Sequence, residues 1–154
     1  SLGIRESWRI IGETVLTEHD LLAGISAQEQ PDIIALADHA MDTHGASTGR
    51  AGCGEMREPY GIPYRCLIPK GFTNLLVACR GASFSSLAAS SCRLSRTMMQ
   101  LGQAAGTAAA IASDRRVALP EVPVSELRRR LRAQWVQLEH PMPPGLMAHL
   151  TADQ

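Results

Sequence analysis

Carboxylates are missing from residues 59–113. The 154-residue chain balances 15 Lys and Arg against 15 Asp and Glu, but the first 58 residues hold ten acids and four arginines. The middle block keeps Arg65, Lys70, Arg80, Arg93 and Arg96 and no acid, and the remainder has five acids and six arginines. Such a block either avoids repelling a bound anion or is buried core, which excludes acids anyway. Aromatics are few, six in all, within a 45% hydrophobic composition long enough for one domain with a core and too short for two. No apolar run approaches the roughly 18 residues needed to cross a bilayer, so no membrane partner is expected. The opening Ser1-Leu2-Gly3-Ile4-Arg5-Glu6 has neither an initiator Met nor a secretory pattern. These absences predict a soluble, cytoplasmic chain whose N-terminus is cut from something longer. Metal-ligand spacing is missing too. Cys53, Cys66, Cys79 and Cys92 recur every 13 residues, without the close C-x-x-C pairs of zinc sites, so no metal is expected. Cys66, Cys79 and Cys92 read as reduced, packed thiols.

What is present alternates short strands and helices. Residues 7–17 are rich in β-branched types and predict a strand. A short helix follows, with Thr17 as its cap, acids in its first turn and Gly24 as its stop. Residues 32–37 predict a second strand, 42–58 a loop with four glycines, and 60–69 an extended segment bounded by prolines. The continuous apolar run at 74–79 predicts a strand buried on both faces that opens into a polar loop at 80–90. A small-residue helix follows from about Ser91 to Ala112, with Gly102 and Gly106 on a face that would let another backbone come close. Residues 119–123 read as a linker, and 124–135 as an amphipathic helix with Leu127 and Leu131 inward and four arginines outward. The end from Pro141 reads as a poorly ordered tail.

The junction of strand 74–79 with the next helix carries the chemistry. A helix N-terminus presents unpaired N–H groups and partial positive charge, which suits a phosphate or another delocalised anion, and Arg80 and Arg93 add to it. Many α/β proteins use the same unit only to pack a helix on a sheet.

Several stretches then resemble a known family in order. They are Gly3-Ile4-Arg5-Glu6-Ser7-Trp8-Arg9-Ile10-Ile11-Gly12-Glu13, Met41-Asp42-Thr43-His44, Tyr60-Gly61-Ile62-Pro63-Tyr64-Arg65-Cys66-Leu67-Ile68-Pro69, Asn74-Leu75-Leu76-Val77-Ala78-Cys79-Arg80 and Leu101-Gly102-Gln103-Ala104-Ala105-Gly106-Thr107-Ala108-Ala109-Ala110. Together, over about residues 3–135, the chain resembles the C-terminal part of FAD-dependent oxidoreductases of the glutathione-reductase-like Rossmann class. The GxGxxG unit that opens the complete proteins is missing here. The resemblance implies an α/β fold: an incomplete FAD-binding Rossmann-type domain, represented by its C-terminal strand and helix, plus a β-containing substrate-side segment. Residues 1–58 would be that segment and 59–116 the flavin part. Residues 117–140 would be linker and terminal helix, and 141–154 the tail.

By the same resemblance, the cofactor is FAD, with the backbone around Arg80, Gly81, Ala82 and Ser83 near its ribityl and pyrophosphate. The helix start around Arg93, Thr97 and Met98 would lie near the pyrimidine edge of the flavin, where a cation stabilises the reduced form. Arg93 and His44 are the catalytic candidates, and Arg5, Glu6, Arg9, Tyr64 and Arg65 the substrate-side candidates. A backbone-bonded loop His44 and a structural Arg5–Glu6 ion pair are the plainer alternatives. Relatives often have Gly-Arg where this chain has Cys79-Arg80, and a His where it has Ser86, which leaves an acid/base role there without its residue. The expected function is hydride transfer between an organic substrate and FAD in a parent enzyme, with the isolated chain inactive. Its partners would be a small-molecule substrate and the N-terminal remainder of the flavoprotein. An alternative of another class is a binding module whose Arg128–Arg132 helix contacts an acidic partner or nucleic acid, although nucleic acid lacks the aromatic platforms expected of it.

Overall fold

The computed structural model describes residues 8–42 and 55–152. Helix α1 spans Glu18–Ala23. The Thr17 N–H donates to the Asp20 carboxylate at 2.8 Å, and Gly24, at φ 69°, closes the helix by donating to the Asp20 carbonyl. Strand β1, Ile33–Ala37, is buried along its whole length, as its unbroken apolar run predicts. It pairs antiparallel with β2, Tyr60–Pro63, and a register shift falls between Ile33 and Ala35.

The extended segment expected over 60–69 stops early. Asp32, buried at the head of β1, accepts the Tyr64 N–H on its carbonyl and the Arg65 N–H on its carboxylate, and the chain turns into a 3₁₀ helix at Tyr64–Leu67. The helices that follow are α2 (Ser86–Cys92), α3 (Ser95–Arg115), α4 (Val124–Ala133) and α5 (Pro144–Ala152). Helix α3 lies on β1, and α4 packs against both. Leu16, Ile34, Ile62, Leu67, Leu101, Ile111, Leu127 and Leu131 are fully buried between them.

Five sequence expectations change. Among the described residues, 8–17 form no strand: the segment makes two isolated bridges, Gly12 to Pro69 and Leu16 to Phe84. Its backbone bonds are divided among neighbours, with Ile10 donating to Gly81, Glu13 to Ile68 and Leu16 to Ser83. Residues 74–79 form no strand either. Their one donated backbone bond runs from Val77 to the Leu67 carbonyl, and Leu75 and Cys79 are exposed. The small-residue helix is two helices, broken at Arg93 and Leu94, where Leu94 takes an extended ψ of 149°. Gly102 and Gly106 face open space, and α3 packs instead through Leu101, Ala104, Ala108 and Ile111. The end of the chain is ordered as α5, where His149 stacks on Trp135 with ring centroids 3.9 Å apart. No helix among the described residues is long and apolar enough to cross a membrane.

Candidate functional site

The loop after residue 79 and the α2–α3 junction come together through two guanidinium groups. Arg93 is the C-terminal cap of α2. Its Nε donates to the Ser90 carbonyl at 3.1 Å, and its other nitrogen reaches the Asp42 carboxylate at 2.6 Å. Arg80 donates from Nε to the Arg93 carbonyl at 3.0 Å. Both cations thus cap carbonyls at the end of a helix, where partial negative charge gathers. Arg96, in the first turn of α3, pairs with Asp38 just beyond β1. Arg80 has no carboxylate partner among the described residues, so its charge is the least compensated of the three.

Beside Arg80, a Cβ at Gly81 would sit in ordinary contact with the Cys79 sulfur at 3.6 Å and the Trp8 carbonyl oxygen at 3.7 Å. Helix α3 begins without an acid or a side-chain cap in its first turn, so its leading N–H groups keep their positive end. Arg80, Gly81 and the start of α3 therefore suit an anion. Ala82 and Ser83 do not face outward. Both are buried, the Ser83 N–H donates to the Cys66 carbonyl, and the Ser83 hydroxyl accepts the buried Gly12 N–H at 2.9 Å. Thr97 is buried, and Met98 packs partly against the core.

The substrate-side candidates divide. Arg5, Glu6 and His44 lie outside the described residues. Arg9 is half-buried and already engaged. Tyr64 is a core residue whose hydroxyl donates to the Leu119 carbonyl at 2.9 Å, and burial pushes its phenol up, so it stays neutral. Arg65 is exposed and flanked by two carboxylates, Glu13 at 3.6 Å and Asp32 at 3.7 Å. Of the described candidates, Arg9 runs beside the Arg80 loop, between Trp8, whose carbonyl lies 3.7 Å from a Cβ at Gly81, and Ile10, which donates to the Gly81 carbonyl. A separate hollow of about 620 Å³ lies between the end of α1 and residues 55–58, lined by Leu21, Met41, Met56 and Glu58 among others.

Sequence reasoning missed three partners at the junction. Asp42 and Asp38 neutralise Arg93 and Arg96 from outside the acid-free block; Asp42 sits in the quoted Met41-Asp42-Thr43-His44, which was its one signal. The Ser91 hydroxyl meets the Tyr60 hydroxyl at 2.6 Å and the His39 carbonyl, fastening α2 to β2. No local pattern marks that pair.

The thiols also differ from expectation. Cys66 and Cys92 are buried and free, but Cys79 is exposed. Burial pushes the Cys92 thiol up to about 12 and that of Cys66 upward as well. Because thiolate is the reactive form, a thiol reagent at neutral pH is expected to modify Cys79 while sparing Cys66 and Cys92 until the protein unfolds. Peptide mass mapping before and after denaturant checks this, and rapid labelling of Cys66 in the native protein would contradict it.

Three of the four arginines of α4 are committed within the chain, and Arg129 is exposed. Arg128 donates to the Ile33 carbonyl at 2.7 Å, Arg130 bonds Glu126 at 2.9 Å, and Arg132 bonds Glu139 at 2.5 Å. Nothing in this arrangement supports the binding-module alternative.

The described residues thus define a mixed helix and sheet domain with a cationic loop and helix start. The chain belongs to the FAD-dependent oxidoreductase family, which matches residues 1–131, and the cofactor of that family is FAD. No curated protein and no solved structure matches the chain.

Proposed function

We propose that this chain is the C-terminal segment of a flavoprotein oxidoreductase of the glutathione-reductase-like Rossmann class, inactive by itself. Membership of the FAD family in a sequence without a GxGxxG unit carries the reading. That unit supplies much of the pyrophosphate contact in Rossmann flavoproteins, and in this reading a further N-terminal segment would provide it. FAD, when bound, supplies the hydride chemistry with a small organic substrate.

This chain's own residues would work at the margin of the cofactor. Arg80 and the first N–H groups of α3 offer positive potential to a delocalised anion, and Gly81 lets that anion approach the backbone. Ser83 holds the loop from beneath through its bonds with Cys66, Gly12 and Leu16, and Ala82 is buried beside it. Arg93 acts mainly by holding the junction, since Asp42 already balances its charge. His44, Arg5, Glu6, Arg9 and Arg65 remain assigned to the substrate side, whereas Tyr64 is a core residue with its hydroxyl committed to Leu119. The free thiols Cys66, Cys79 and Cys92 agree with a reducing, cytoplasmic location.

Purified residues 1–154 mixed with FAD and passed through a desalting column are expected to emerge colourless and without oxidoreductase turnover. A yellow protein with a bound-flavin spectrum and micromolar affinity would overturn the proposal that the missing unit is required.

A further inference from the structure

The hollow between the end of α1 and residues 55–58 holds about 620 Å³, the size of a site for a small organic molecule. Its lining joins an apolar floor to a set of hydrogen-bond acceptors. Leu21 and Met41 are buried members of the core, and Met56 packs half-buried against that core. Thioether side chains adapt to apolar groups of different shape. The wall is the C-terminal end of α1, and the N–H groups that would close its last turn are spent elsewhere. Ile25 donates to the Pro59 carbonyl, Ser26 to the Glu58 carboxylate and Ala27 to the Gly24 carbonyl. The carbonyls of Leu21, Leu22 and Ala23, all lining residues, therefore accept no backbone N–H among the described residues and carry the negative end of the helix. Glu58 stands beside them, so close to Gly24 that no side chain fits between. The Ser26 hydroxyl and N–H donate to its two oxygens at 2.7 and 3.0 Å, which holds the carboxyl below its usual range and ionised at neutral pH. At the rim, Glu55 adds a second carboxylate and Arg57 one cation, so the lining is net negative.

We propose that this hollow is a binding site for a small organic cation, a primary ammonium group carrying a short apolar tail. The tail displaces water from Leu21, Met41 and Met56, and the ammonium N–H groups find the Glu58 carboxylate and the open carbonyls of α1. A carboxylate in the same place would face acceptors with Arg57 alone to offset them. A neutral alcohol would donate one hydrogen bond where the ammonium donates three. None of these residues belongs to the Arg80–Arg93 junction, so the site goes beyond the flavin reading and stands or falls without it.

The test needs no flavin. Residues 1–154, labelled with carbon-13 at the methionine methyl groups, are titrated with hexylammonium, hexanol and hexanoate and followed by NMR. The chain has six methionines, of which Met41 and Met56 line the hollow, so the signals locate the ligand as well as detect it. Hexylammonium is expected to move those two signals saturably while Met98, Met99, Met142 and Met147 stay in place. It is expected to bind about tenfold more tightly than hexanol, with hexanoate weaker still. Glu58→Gln keeps an acceptor for Ser26 and removes the charge, and is expected to weaken hexylammonium by about fivefold while leaving hexanol unchanged. Leu22 lines the mouth at 64% exposure, so its substitution spares the core. Leu22→Lys is expected to weaken hexylammonium and Leu22→Asp to strengthen it. Equal binding of hexylammonium and hexanoate, equal movement of all six signals, or no movement at Met41 and Met56 would overturn the proposal. So would hexylammonium affinity that is the same in the parent, Glu58→Gln and both Leu22 variants.

Discussion

Leu131→Ala is expected to destabilise the domain by about 2–5 kcal/mol, the range for emptying a fully buried leucine site. Leu131 and Leu127 are the buried residues through which α4 closes over α3 and β1, and both are wholly shielded from water. At the size of this chain, the loss corresponds to a fall in Tm on the order of 5–15 °C. The opposite face of the same helix should respond weakly. Arg132→Ala removes an exposed pair with Glu139 and is expected to cost about 0–1 kcal/mol. Arg129→Ala, on the solvent side, should stay within about 0.5 kcal/mol. Thermal unfolding of the three variants checks the contrast. If Leu131→Ala melted with the parent while Arg132→Ala fell sharply, α4 would be held by its charges rather than by its leucines.

The contrast follows from what each signal in a sequence can specify. Helix α4 was legible because its leucines recur one turn apart, and α1 because Thr17, Asp20 and Gly24 settle both of its ends within eight residues. Strand β1 was legible as an unbroken apolar run. The run at 74–79 has the same composition and made no strand, because a strand also needs a neighbour, and Leu67 supplies a single bond. Propensity reports readiness for a sheet, and only the partner decides.

The α2–α3 break escaped for a related reason. The expected helix from about Ser91 to Ala112 runs across the break and the expected loop at 80–90 holds most of α2, but the Arg80 and Arg93 side chains take carbonyls at the end of α2, and no helix scale contains a guanidinium donated from another part of the chain. Charge was read least well. The acid-free block did mark a cationic region, yet Asp38 and Asp42 come from more than fifty residues away to balance two of its arginines. Of the cations at the junction, Arg80 is left carrying the case for an anion, and neither spacing nor composition separated it from Arg93.

Gly12→Ala is expected to cost roughly 2–4 kcal/mol, although it adds a single methyl group. Gly12 crosses beneath the loop that carries Arg80. A Cβ there would stand 2.7 Å from the Cβ of Ser83 and 3.1 Å from the carbonyl oxygens of both Arg65 and Ile68. Two of those three obstacles are backbone and cannot rotate away. The same shift would stretch the buried bond from the Gly12 N–H to the Ser83 hydroxyl. Ser83→Ala tests that bond alone: the buried N–H loses its acceptor with little change in shape, at an expected cost of about 1–3 kcal/mol. Combining Gly12→Ala with Ser83→Gly removes the side-chain clash together with the hydroxyl acceptor and leaves the two carbonyls, so, measured against Ser83→Gly alone, the pair should recover only part of the methyl's cost. Denaturant melts of these variants measure the differences. Full recovery in the pair would mean that the carbonyls yield and that Ser83 alone sets the fit. Partial recovery would mean that the crossing segment is clamped between residues 65–68 and the loop, which holds Arg80 and Gly81 in place against the start of α3.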